Sequence, residues 1–378
     1  MRHLSIASSS VLLGSVMATF VTPACGDDGS GLAWQRRISH SEGADHRANA
    51  VAVGSDGGLF IGAEVSSEAL PPSNVPWVIA LDPNGTERWR SEIATAQPTS
   101  SFTVTSLAAG SDEQLFAVVS RKTDQHYYVY DGYLSVMRLA GDSGEPLWTD
   151  ALGSGRDARV LLPSDDVVVV AYTATFDNGS TEHAIALSAY RPSGEPLWDV
   201  RENPAVSVIG SGVSQGDIVV ASVDGQSSLA VRRYGADGAP GEVVDGVALT
   251  GYRAEWGAAF EADPEGDLVV VYDAGDGVRL IKIDAAGALV WDVVRDLFGA
   301  CKVGGLAIDG AGRIGVATAL PCASVSSFDG AGEHRWTRSP GDDRVEFGPI
   351  ALTPGGDLVV AGHRQWRTMQ LWVGAFAR

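Results

Sequence analysis

The chain has 378 residues, 45% hydrophobic and 20% charged, a balance that can bury a sizeable core and that excludes an intrinsically disordered protein. Its 27 basic residues face 47 acidic ones, a net charge of −20 that makes nucleic acid and anionic membrane surfaces poor partners.

At the N-terminus Arg2 precedes the apolar stretch Val11 to Phe20, and small residues follow up to Ala24. Residues 1–24 therefore read as an export signal. Cys25 stands where a lipoprotein signal peptidase would leave a cysteine for acylation, although Pro23 and Thr22 depart from the preferred residues before it. Conventional cleavage is the alternative. Residues 25–30, Cys-Gly-Asp-Asp-Gly-Ser, then form a flexible tether.

From residue 31 onward the sequence repeats. A Gly/Asp turn followed by a short β-branched run occurs seven times, at Leu59, Leu115, Val167, Ile218, Leu268, Ile314 and Leu358, spaced 44 to 56 residues apart. Ahead of each run a first strand is predicted from small and β-branched residues: Ala48–Val53, Thr103–Ala108, Ala158–Leu162, Ala205–Ile209, Ala258–Ala262, Val303–Ile308 and Phe347–Leu352. After each run comes a third strand, a turn glycine and, four residues later, a tryptophan. These pairs are Gly85/Trp89, Gly144/Trp148, Gly194/Trp198, Gly287/Trp291 and Gly332/Trp336. After Gly238 the position holds Glu242, which predicts a differently packed outer strand. The chain ends on a third strand, Leu371 to Phe376, whereas an orphan outer-strand segment, Gly31 to Arg36 with Trp34, precedes the first repeat. Trp34 thus supplies the missing fourth strand. The expected fold is all-β: a seven-bladed β-propeller over residues 31–378, four antiparallel strands per blade, its ring closed by the N-terminal outer strand pairing with the C-terminal blade. Trp34, Trp89, Trp148, Trp198, Trp291 and Trp336 are assigned to docking between sheets.

Residues 80–89, Ala-Leu-Asp-Pro-Asn-Gly-Thr-Glu-Arg-Trp, with weaker copies ending at Trp148 and Trp198, resemble the pyrroloquinoline-quinone-type propeller repeat. That resemblance spans the mature chain and implies the fold. Its relatives include quinoprotein dehydrogenases and non-enzymatic lipoprotein propellers that act as scaffolds in outer-membrane protein assembly. The adjacent cysteine pair expected of many alcohol-oxidising members is absent, because Cys301 and Cys322 lie well apart. They flank the hairpin of the sixth repeat and are expected to form a disulfide, with buried free thiols as the alternative.

The loops between first and second and between third and fourth strands are tight turns. Those between second and third strands and between repeats are longer and richer in aromatic and ionisable residues, so binding is expected there. The candidates are His126, Tyr127, Tyr128, Tyr130, His183, Tyr252, Trp256, His363, Arg364 and Trp366. His40 and His46 fall on the same face, and His334 on an outer strand. No His-x-His or His-x-x-x-His spacing argues for a metal, and the acidic turns at Asp273–Gly277 and Gly341–Asp343 lack the spacing of an EF-hand. Neither a Gly-x-Ser-x-Gly elbow nor a phosphate-binding loop is present. The reading is a monomeric, exported, lipid-anchored scaffold without catalytic residues, cofactor or metal, holding an envelope protein or an extracellular ligand. The alternatives are a quinone-dependent dehydrogenase, or other propeller enzyme, with its site at the channel mouth, and a purely structural surface protein.

Overall fold

The computed structural model describes residues 32–38, 45–66, 74–93, 100–111, 114–122, 132–175, 183–202, 207–224, 227–252, 258–263, 265–275, 277–295, 302–319, 323–340, 345–364 and 369–377. Among these there are 27 β-strands and no helix. The first strand, β1 (Leu32–Ile38), is followed by three more sets: β2 (Asp45–Val53), β3 (Leu59–Ser66), β4 (Asn74–Leu81) and β5 (Glu87–Glu92); β6 (Ser101–Ala109), β7 (Gln114–Lys122), β8 (Gly132–Ala140) and β9 (Pro146–Ser164); β10 (Val167–Thr175), β11 (His183–Tyr190) and β12 (Pro196–Glu202). The second half holds β13 (Ser207–Ser214), β14 (Asp217–Val223), β15 (Ser228–Tyr234) and β16 (Pro240–Ala248); β17 (Ala258–Ala262), β18 (Leu268–Asp273), β19 (Val278–Ile283) and β20 (Leu289–Arg295); β21 (Val303–Ile308), β22 (Ile314–Thr318), β23 (Ser324–Phe328) and β24 (His334–Arg338); and β25 (Val345–Leu352), β26 (Leu358–Arg364) and β27 (Gln370–Phe376).

All pairings are antiparallel. Five sheets have four strands, and one has seven, in the order β12-β11-β10-β9-β8-β7-β6. The seven-stranded sheet arises because β9 runs for 19 residues without a break. Its first half pairs with β8 and its second half with β10, and Gly155 takes part in both ladders. Counting β9 in both, the described residues form seven four-stranded meanders. The last is β25-β26-β27 completed by β1, which pairs with β27 from Leu32↔Phe376 to Ile38↔Leu371.

Second strands are buried on both sides and therefore read as continuous apolar runs, as in Val167–Thr175, rather than as alternation. Outer strands are the most exposed, with a half-buried tryptophan among charged residues in β5 and β12. Among the described residues the core falls into seven apolar clusters, each drawn from two successive meanders. The cluster around Leu59, Ile61, Val359 and Leu371 joins the last meander to the first. First strands pack in the order β2 on β6, β6 on β9, β9 on β13, β13 on β17, β17 on β21, β21 on β25 and β25 on β2.

Two expectations are corrected in detail. The fourth first strand is Ser207–Ser214, not Ala205–Ile209, because the ladder runs up to the turn at Gln215-Gly216. His46 lies within β2, 4% exposed, and not in a loop. The outer-strand tryptophans are half-buried, and five of the indoles lie across the turn glycine of the next meander, Trp34 on Gly85, Trp89 on Gly144, Trp148 on Gly194, Trp198 on Gly238 and Trp291 on Gly332. Each donates its Nε1–H to a backbone carbonyl of that turn, at Pro83, Gly141, Pro192, Ala236 and Gly330 respectively, over 2.8 to 3.2 Å. Trp336 instead stacks under the guanidinium of Arg338 at 4.3 Å. Where Glu242 interrupts the tryptophan series, Val244 takes the place against Gly287.

Candidate functional site

One turn design serves both kinds of tight hairpin. In Asp82–Thr86, Asp263–Asp267, Asp284–Ala288, Asp309–Arg313 and Asp329–Glu333, the Asp Oδ1 accepts the amides two and four residues on. A glycine fourth in the turn takes the positive φ, 78° at Gly85 and 73° at Gly312. The design recurs at one end of the first, fifth and sixth meanders. Differences are concentrated at the other end, where second strands finish and third strands begin.

At that end His363, near the C-terminus of β26, places Nε2 3.4 Å from Glu346 Oε2 on β25, its cross-strand partner. The hydrogen bond from His363 holds the Glu346 carboxyl below the usual glutamate range; burial opposes it, and Lys302 and Arg47 reinforce it. Arg47 on β2 sits opposite Glu64 on β3. The Thr103 hydroxyl accepts from Asn49 Nδ2 at 3.0 Å and donates to Glu64 Oε2 at 2.7 Å, which links two meanders. Deeper along the first strands, Arg159 Nη1 donates to the carbonyls of Ser211 and Phe260, both at 3.3 Å, and lies 3.4 Å from Glu261 Oε2. One guanidinium thus ties β9, β13 and β17. Burial raises the Glu261 carboxyl above its ordinary value, and Arg159 works against that.

Four of the ten candidate binding residues are described. His363 joins the pair above. His183 heads β11 half-buried, its Nδ1 buried without a hydrogen-bond partner among the described residues. Tyr252 is a packing residue, its ring edge-on to Tyr272 at 6.0 Å. Arg364 is half-buried and pairs across to Gln370. His126, Tyr127, Tyr128, Tyr130, Trp256 and Trp366 lie outside the described residues, as do Cys25, Cys301 and Cys322. The ladder beside the two later cysteines runs to the bond from the Ala319 amide to the Lys302 carbonyl.

Compared with models of known protein families and with curated proteins, the sequence matches none.

Sequence reasoning missed Arg47, Glu64, Lys302 and Glu346. The available signal was their position: charged residues at the entry ends of first strands, or at the exit of a second strand, interrupt otherwise small and apolar runs. A carboxylate trio, Asp263, Glu265 and Asp267, resembles a cation site. A cation is already present there, since Lys282 Nζ lies 2.8 Å from Asp263 and 3.0 Å from Asp267.

Proposed function

We propose that the chain is an exported, lipid-anchored seven-bladed propeller that serves as a non-catalytic scaffold, binding an envelope protein or an extracellular ligand on the face where second strands end. The cyclic packing order of the first strands, with β25 returning to β2, carries the propeller reading. The completion of the last sheet by β1 supports closure, as does the apolar cluster shared by the last and first meanders. The likeness of residues 80–89 to quinoprotein-type repeats agrees with it.

The binding assignment rests on the contrast between ends. Repeated turns fix one face, while the Glu346–His363 pair, Arg47, Lys302 and the Glu64–Thr103–Asn49 chain bring non-repeating charge together on the other. Rigid scaffolds with variable ends are where recognition concentrates.

The test is photo-crosslinking in the native envelope, with the reactive residue placed at Arg364 or His183 and, as control, at Asp237 in a tight turn. A discrete adduct from the first two and none from the control supports the scaffold. Retention of a quinone by the purified protein, with no adduct from any position, would replace it with the enzyme reading. Intact mass of the native protein tests the anchor: a diacyl or triacyl mass on Cys25 is expected, and an unlipidated mature chain would remove it.

A further inference from the structure

The tight-turn face contains a cavity of 790 Å³, within the range of natural ligand sites. Its wall is made by the ends of first strands, where Val53, Ala109, Leu162, Ile308 and Leu352 are each only half-buried. These apolar groups remain open to water at the centre of a rigid scaffold, on the face opposite the expected binding loops.

Its rim is net acidic. The described turns that contribute to its wall, those between first and second strands in the first, second, third, sixth and seventh meanders, hold five carboxylates, Asp56, Asp165, Asp166, Asp309 and Asp357, and one guanidinium, Arg313. One further cation reaches them from a neighbouring strand, Arg88 onto Asp56 at 3.5 Å. Five minus two leaves three uncompensated negative charges around an apolar well. Asp165 and Asp166 are exposed and form no ion pair among the described residues; Asp165 only accepts a hydrogen bond from Ser111 at 2.9 Å.

We propose that this well is a second docking site, for a cationic polypeptide segment that inserts apolar side chains into the cavity while its lysines or arginines meet the carboxylate rim. Charge complementarity selects this occupant. A second copy of the chain, itself at −20, would be repelled, and a small polycation would leave the apolar wall wet. The site is independent of the face assigned to the scaffold function, so either can fail alone.

The experiment uses the full-length mature protein and a fluorescein-labelled peptide of alternating lysine and leucine, followed by anisotropy. Binding is expected, weakening at least tenfold for Asp165→Asn/Asp166→Asn and for Ser55→Trp, which fills the exposed edge of the well. Val53→Thr, close in volume, should weaken it two- to fivefold, and Asp237→Asn, in a tight turn outside the cavity, should leave it unchanged. Far-UV circular dichroism and thermal melts of each variant separate loss of binding from loss of fold. Equal binding of a lysine–serine peptide, full competition by spermine, or loss in Asp237→Asn equal to that in the rim variant would each overturn the proposal in favour of a diffuse acidic field.

Discussion

Lys282 illustrates how little of the charge balance is decorative. Its ammonium is 7% exposed as a residue, and it neutralises Asp263, itself 4% exposed, and Asp267. Burial disfavours the ammonium, but the hydrogen bonds to the two aspartates outweigh it and raise its pKa. Lys282→Met should cost about 3 to 5 kcal/mol in urea denaturation, because it strands a buried carboxylate without a counter-charge. A change below about 1 kcal/mol would show that the turn relaxes to hydrate Asp263. Glu346 gives a pH prediction. Its folded-state carboxyl is held below the ordinary value, so its contribution is present above the unfolded pKa of about 4.3 and is lost as pH falls through the lower folded value. Asp309 acts in the same direction. Burial would raise its carboxyl, but the Arg313 amide and guanidinium and the Ala311 amide together lower it. Urea midpoints from pH 7 downward should therefore show a shallower acid loss for Glu346→Gln than for the unmodified chain. Parallel curves would remove the His363–Glu346 pair from the account. None of this was legible in the sequence, because Lys282, Asp263 and Asp267 sit on either side of two hairpins and meet only through register. His363 was read as a candidate from its loop position, while its partner lay hidden in a first strand.

Among the elements, the outer strand is the part the sequence exposes best. Tryptophan four residues after a glycine is visible without coordinates, and its recurrence defines the meander. What it cannot reveal is that the indole meets the glycine of the following meander rather than its own, since that depends on how sheets stack. Gly194 shows why glycine is required there: its φ is +93°, and a Cβ would lie 2.9 Å from the Trp148 ring. Trp148→Ala should destabilise by about 2 to 3 kcal/mol, less than a fully enclosed tryptophan, because the ring is half-buried and one indole hydrogen bond is lost with it. Gly194→Ala should cost about 1 to 3 kcal/mol. The double mutant should fall short of the sum by at least 0.5 kcal/mol, since removing the ring frees the space the methyl needs. Strict additivity would deny the contact. Val244→Ala, at the one junction with no tryptophan, should cost about 1 kcal/mol. The fourth first strand was misplaced for a related reason: Ser-Val-Ile-Gly-Ser-Gly-Val-Ser has too many glycines and serines to read as a strand, yet its small residues are what allow Gly210 to pack against Phe260.

For the whole molecule, the chain termini decide how the sheets are held. β1 covers the edge of β27, and Trp372 Nε1 reaches back to Gln35 Oε1 at 3.1 Å. A chain lacking residues 32–38 should expose that edge and lose the Trp34–Gly85 dock together. Size-exclusion chromatography should then show oligomers, and the thermal midpoint should fall by several degrees. A monomer of unchanged midpoint would mean that β1 is dispensable. The all-β, antiparallel architecture and the pairing of β1 with β27 were both readable from the spacing of similar turns. The charged cluster and the well were not, since each is assembled from strands of several meanders.

The uninterrupted β9 has a mechanical consequence. Elsewhere successive meanders are separate sheets, and a pulling force can peel one from the next by shearing only side-chain contacts. Across Gly155 the force is carried by a single continuous backbone ladder, so the second and third meanders should come away together, as one long extension among shorter ones.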